Sequence, residues 1–292
     1  MLSDELLKKV RRIEITTQKR VDDVLTGQYR SHFKGQGVQF SEHRLYVPGD
    51  DIRRINWNVS ARTRDPLVKI YDEEREVTVF LIVDVSASQH FGSSEKLKSE
   101  AIAEVGGMLA YAASQTGDRF GALLFSGEVE HIIPPKKGRK HVLRVIRDLL
   151  TYQPKSKGTH MEGALNAAGR IMKHNGIVFV ISDFIADHYE IPLKRLARKH
   201  DVVAVQIEDE RESKIPEMGM VLIRDPESGA SCVVDTSSYR FQQWIKDYSE
   251  RFRADIHQIF KGSQIETLKI LTKEDYGEAV VRFFRARSTR KK

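Results

Sequence analysis

Asp84, Ser86 and Ser88 stand two residues apart, directly after the apolar run Val77-Thr78-Val79-Phe80-Leu81-Ile82-Val83. A carboxylate and two hydroxyls at that spacing bring three oxygens into one small concave site. Hard oxygen donors suit a cation such as Mg²⁺, with Mn²⁺ or Ca²⁺ as alternatives, and not zinc or copper. Two further oxygens belong to the same set. Thr159 follows Gly158 in a polar loop, and Asp183 follows a second apolar run, Ile177-Val178-Phe179-Val180-Ile181. Spacing alone leaves another use open, because Ser, Thr and Asp after strands also cap helices and set turns.

The elements that must position these residues follow from periodicity. Both apolar runs are short and rich in β-branched residues, so they read as parallel strands buried on both faces. From Val77 onward, strands and helices alternate. Helices are expected at 95–113, 138–150, 160–173 and 193–199, strands at 119–125, 129–133 and 202–207, and a hairpin at 220–234. A long helix with Phe241, Ile245, Tyr248, Phe252, Ile256 and Ile259 on one stripe comes next, then a strand at 265–271 and a last helix carrying Tyr276, Val280 and Phe284. The apolar stripes read as core. Gly106-Gly107 inside the first helix costs roughly 1 kcal/mol per glycine against alanine, for which close helix-to-sheet approach is the expected compensation. Alternation of this kind gives an α/β fold, a doubly wound and mainly parallel sheet with helices on both faces. In such a sheet the strands ending at Asp84 and Asp183 can flank the switch point, so that both exit loops face one crevice.

Composition excludes several classes. The 292 residues are 40% hydrophobic and 30% charged, as in an ordinary globular chain, and a single cysteine, Cys232, permits neither an internal disulfide nor a cysteine metal cluster. His32, His43, His90, His131, His160 and His188 show no metal-ligand spacing. No apolar run is long enough to span a bilayer and the N-terminus has no signal core, so the expected location is cytoplasmic, possible attachment at the membrane periphery included. The net charge of +7 concentrates in Lys136-Lys137-Gly138-Arg139-Lys140, in Arg144 and Arg147, and in a basic tail at 287–292. No aromatic residues interleave with these as a single-strand nucleic-acid platform requires, so the basic stretches read first as solvated faces.

The set Asp84-x-Ser86-x-Ser88, Thr159 and Asp183 resembles the metal-ion-dependent adhesion site of von Willebrand factor A domains, and the element order over 77–286 resembles that fold. The preceding segment sharpens the likeness. Gly35-x-Gly37-Val38-x-Phe40, Arg44-x-Tyr46-x-Pro48-Gly49-Asp50-Asp51-x-Arg53-x-Ile55-x-Trp57, Ser60-Ala61-Arg62 and Tyr71-Asp72-Glu73-Glu74-Arg75-Glu76 resemble the bacterial family designated domain of unknown function fifty-eight. The resemblance runs from about Gly27 to Phe284. Gln89 stands where many relatives carry Met, and Asn56 where they often carry Asp. The implied organisation is an N-terminal helix (Leu6, Val10, Ile13) and a strand- and loop-rich extension over 1–76, packed on a von Willebrand factor A-like domain at 77–286.

The resemblance implies a non-enzymatic module in which Asp84, Ser86, Ser88, Thr159 and Asp183 hold Mg²⁺ and a protein partner completes the site with an acidic side chain. Relatives are commonly encoded beside MoxR-type AAA+ ATPases, which makes such an ATPase, or its client, the implied partner in protein assembly or maturation. His90, Phe91, His160 and Phe184 are the expected contact residues at the rim. Three other functions have less support in the residues. Nucleic-acid binding through the basic helix and tail predicts steep salt dependence without Mg²⁺ dependence. A metal-dependent phosphohydrolase would need a second Asp as acid/base two residues after the first, where this chain has Ser86. A serine hydrolase lacks its Gly-x-Ser-x-Gly elbow.

Overall fold

The computed structural model describes residues 39–63, 65–72, 77–92, 97–225 and 229–290. The expected N-terminal helix, Gly35-x-Gly37, Glu73 to Glu76, the hairpin turn at Pro226 and the last two tail lysines lie outside the described residues.

Six strands form the central sheet, in the order β10-β7-β6-β3-β4-β5. These are β3 (Thr78–Asp84), β4 (Arg119–Phe125), β5 (Val129–Lys136), β6 (Ile177–Ser182), β7 (Asp201–Glu208) and β10 (Glu266–Leu271). All pairs are parallel except β4 with β5, the hairpin read from the sequence. In the central strand the side chains alternate between two cores. Val79, Leu81 and Val83 join one cluster, Phe80 and Ile82 the other, and all five are buried. Period-two alternation with both faces covered is why the run reads as unbroken apolar sequence.

Helices α2 (Lys98–Gln115), α3 (Arg139–Thr151) and α8 (Tyr276–Arg290) cover the first face. The second face is covered by α4 (Met161–Ile171), α5 (Glu190–Ala197) and the C-terminal part of α7 (Tyr239–Gly262). Gly106 of α2 has the expected reason. A Cβ there would lie 2.9 Å from Leu149 Cδ1 of α3 and 3.2 Å from Leu81 Cδ1 of the sheet, so the glycine lets two helices and the sheet close up.

Before the central sheet, β1 (Gln39–Leu45) and β2 (Leu67–Asp72) pair antiparallel as a separate sheet, with the short helix α1 (Trp57–Thr63) between them. Arg44 donates to Asp50 Oδ1 at 2.8 Å, and Asp50 Oδ2 accepts from Val47 N at 3.0 Å, so Pro48-Gly49-Asp50 is a turn closed by its own carboxylate. The four-residue helix α6 (Glu210–Ser213) and the hairpin β8 (Met220–Arg224) with β9 (Ser231–Asp235) lie between β7 and α7.

One sequence expectation needs correction here. The stripe of α7 is core only near its C-terminal end, where Ile256 and Phe260 are buried, whereas Trp244 is 57% and Tyr248 50% exposed. In the first half of this 24-residue helix the aromatic rings stack on one another instead of on a core.

His200 closes the loop into β7. It is buried, neither ring nitrogen has a partner, and burial followed by the adjacent Lys199 pushes its pKa below the ordinary value. A depressed histidine pKa stabilises the fold above the unfolded value near 6.5, and that stability is lost as pH falls below it. His200→Leu is therefore expected to raise stability by about 1 kcal/mol and to weaken the loss between pH 7.5 and 5.5 in urea titrations. An unchanged acid limb would contradict it.

Candidate metal site

Parallel pairing of β3 with β4 and β6 places Asp84 opposite Phe125 and beside the end of the strand that leads into Asp183. The chain leaves β3 toward β4 on one side, while β6 lies on the other, so the crevice opens at the switch point as expected. Asp84 is fully buried. Its Oδ1 accepts from Ser86 N at 2.9 Å and its Oδ2 from Ser182 Oγ at 2.8 Å. A 3₁₀ turn, Ala87–His90, then carries Ser88 back beside Ser86, with the two hydroxyl oxygens 3.0 Å apart.

Asp183 is held from both sides. Its Oδ1 accepts from Ile185 N at 3.1 Å, and its Oδ2 receives Gln89 Nε2 at 3.0 Å and Lys98 Nζ at 3.1 Å. Lys98 is fully buried in the first turn of α2 and also pairs with Glu212 of α6. Burial works against its ammonium, but Asp183 and Glu212 outweigh it and raise the pKa. Burial, and then the Asp183 charge, push the Asp84 carboxyl up to about 7 despite the hydrogen bonds from Ser86 and Ser182. A carboxyl with that affinity for a proton marks unmet demand for positive charge.

Thr159 reaches the site region through its loop. His160 N donates to Ser126 O at 2.7 Å, which lays the loop along the end of β4, next to the strand of Asp84. Glu130 of β5 organises the same loop, its Oε1 accepting from Ser126 Oγ at 2.6 Å, Lys155 N at 2.9 Å and Ser156 N at 2.8 Å, and its Oε2 from Tyr152 Oη at 3.0 Å. Burial alone would raise the Glu130 carboxyl, but these donors hold it below the usual range.

The donor set fits a hard divalent cation. Asp84 Oδ2, Ser88 Oγ and Asp183 Oδ2 converge on one point, the Gln89 amide nitrogen, at 3.4, 3.2 and 3.0 Å. An amide has two hydrogens for these three acceptors, and Gln89 Oε1 is buried without a partner. The Ser86–Ser88 separation of 3.0 Å matches the edge of a Mg²⁺ octahedron, about 2.9–3.0 Å for bonds of 2.0–2.1 Å. The carboxylates of Asp183 and Glu212 share the ammonium of Lys98.

Of the expected rim residues, Phe91 is 44% exposed and His160 is exposed. His90 ends the 3₁₀ turn. Phe184 is a correction. It is fully buried against Tyr189 and Phe260, in a left-handed conformation with φ 61° that sends its ring into the core. Its neighbour Ile185, 50% exposed, is the apolar side chain that faces outward there. Lys98, Glu212, Glu130 and Ser182 were missed in the sequence, and only Ser182, adjacent to Asp183 at a strand end, carried a local signal. A cleft of about 950 Å³ lies elsewhere, along the free edge of β10 and lined by α7 and α8.

The strand order and the strand-end oxygen site define a von Willebrand factor A-like fold. The chain superimposes on an aerotolerance-related membrane protein from Bacteroides fragilis with a TM-score of 0.50 at 16% identity, covering 73% of this chain and 99% of that one. BatB from Bacteroides thetaiotaomicron gives a TM-score of 0.48 at 15% identity, with the same coverage of 73% and 99%. The family described as protein of unknown function DUF58 matches residues 42–255, and the chain belongs to it. The uncharacterized protein Rv1480 of Mycobacterium tuberculosis is 30% identical over 290 residues, 97% of this chain and 90% of that protein. Uncharacterized protein YeaD of Bacillus subtilis is 25% identical over 132 residues, 45% of this chain and 31% of that protein. No helix among the described residues is long and apolar enough to cross a membrane.

Proposed function

We propose that this chain is a non-enzymatic, Mg²⁺-dependent protein-binding module, with Mn²⁺ or Ca²⁺ as possible substitutes. Asp84, Ser86, Ser88, Thr159 and Asp183 hold the ion, directly or through water, and the bound ion supplies a directed ionic contact for an acidic side chain of the partner. Ser86 and Ser88 are neutral and quench little of the ion's charge, which leaves that charge available to a carboxylate from outside. Phe91, Ile185 and His160 give the surrounding surface its shape. The observation that carries this reading is the convergence of Asp84, Ser88 and Asp183 on one point. The proposed partner is a MoxR-type AAA+ ATPase or its client, met in the cytoplasm or at the membrane periphery.

Pull-down of a MoxR-type ATPase encoded next to this chain tests both parts. Capture is expected with millimolar Mg²⁺, loss with chelator, and recovery on adding Mg²⁺ back. Capture that is indifferent to chelator would remove the metal from the reading. Absence of capture under all three conditions would remove the ATPase.

A further inference from the structure

The metal-binding reading does not require a cationic side chain at the site, yet Lys98 places one there. It is fully buried, and its Nζ lies 3.1 Å from Asp183 Oδ2. Its other partner, Glu212, is held in place independently. Asp209 and Glu212 form a capping box at the start of α6, with Glu212 Oε2 accepting from Asp209 N at 3.0 Å and Asp209 Oδ1 accepting from Arg211 N at 3.0 Å. Thr272 Oγ1 donates to Asp209 Oδ2 at 2.8 Å and ties the box to the end of β10. The Glu212 carboxylate therefore meets Lys98 through Oε1 while the capping box holds it through Oε2. An ammonium shared between two carboxylates is a movable positive charge, drawn toward Asp183 or toward Glu212 according to which is the more negative.

We propose that Lys98 is an internal counter-cation that competes with a divalent ion for Asp183, and that Glu212 sets the strength of that competition by drawing the ammonium away. The proposal rests on the metal-binding reading above and adds a positioning role for two residues on separate elements, 114 positions apart in sequence. Both carboxylates attract the same ammonium, so removing one strengthens its hold on the other. When the cation neutralises Asp183, Lys98 leans on Glu212. When Glu212 is neutral, Lys98 stays on Asp183 and the site accepts a cation less readily. The competing description is a static buried ion pair that merely holds α2 to α6, which costs stability when either partner is removed.

The two descriptions part in the sign of the effect. Mn²⁺ and Mg²⁺ affinity would be read on the isolated full chain by calorimetry and by the cation-induced rise in Tm, with no partner present. Lys98→Met, which keeps the length of the stem, is expected to bind Mn²⁺ about tenfold tighter than the wild type, and Glu212→Gln, which can retain the capping box, several-fold weaker. Glu210→Gln makes the same change of charge on the same helix at a residue paired with Lys273, and is expected to stay within about twofold of the wild type because its charge is screened. Effects of the same sign in Lys98→Met and Glu212→Gln would overturn the proposal, as would a loss in Glu210→Gln equal to that in Glu212→Gln. Should Lys98→Met fail to fold, Glu212→Gln decides alone, and unchanged or tighter binding overturns. Cation binding by Lys98→Met but not by the wild type would support the competition while removing the Mg²⁺-dependent function. Binding by none of these proteins would overturn both.

Discussion

Asp84→Ala is expected to abolish divalent-cation binding, raising the Kd for Mn²⁺ by more than about a hundredfold, and to abolish cation-dependent partner capture with it. The carboxylate lies where β3 ends, and both of its oxygens face other members of the site. No neighbouring side chain can take its place, because Ser86 and Ser182 offer only hydroxyls. Removing a ligand that sat at the surface would be expected to spare the fold. Complete burial of Asp84 changes that expectation. Alanine leaves Ser86 N and the Ser182 hydroxyl without an acceptor, at a cost of about 1–3 kcal/mol. Asp84→Asn separates the two effects, since it keeps the shape and an acceptor oxygen while removing the charge. The expected outcome is near-normal stability in Asp84→Asn with cation binding lost in both variants. Wild-type affinity for Mn²⁺ in a folded Asp84→Asn protein would mean that this strand end is not the cation site.

Gly127→Ala is expected to damage the same site from the other side of the crevice. A Cβ at Gly127 would lie 2.1 Å from Lys157 O and 2.5 Å from Ser156 Oγ. Backbone must therefore move, and the backbone concerned leads directly to Thr159. Glu130 holds this loop at Lys155 N and Ser156 N, and Ser126 O holds it at His160 N, so the displacement cannot be absorbed by a free end. Overpacking of this kind costs about 1–3 kcal/mol. If Thr159 is a ligand, cation affinity should fall as well, by about tenfold. Gly106→Ala is the control. Its added methyl meets the side-chain ends of Leu149 and Leu81 inside the core, so it should lower Tm and leave the affinity unchanged. A Gly127→Ala protein that is destabilised yet binds Mn²⁺ normally would remove Thr159 from the site.

Strands and their roles were legible because their causes are local. The apolar runs ending at Asp84 and Asp183 are buried on both faces, and a strand buried on both faces shows no alternation to obscure it. Asp84, Ser86, Ser88 and Asp183 were legible for the same reason, since they stand within a few residues of strand ends that a doubly wound sheet brings together, whereas Thr159 lies in a loop between two helices. Helix 160–173 was also readable, and the structure differs only by fraying at its ends. The Gly106 approach could be inferred because a glycine inside a helix needs a cause.

What the tertiary structure alone decided has a different origin. Lys98 stands near the start of an expected helix, and nothing local says that Asp183, 85 positions later, and Glu212 will converge on its ammonium. Glu130 reads as one more charge on an edge strand, yet it accepts hydrogen bonds from four groups, two of them on a loop 25 and 26 residues away. Phe184 looks like a rim residue by its place after Asp183, and a single left-handed φ turns it inward. The first half of α7 carries the same apolar period as its second half, yet only the second half is covered, and the period itself does not say which. Periodicity reports that a face is apolar and a strand end reports where an oxygen sits. Burial, partnership and charge balance depend on which distant element arrives there, and that is set by packing in three dimensions.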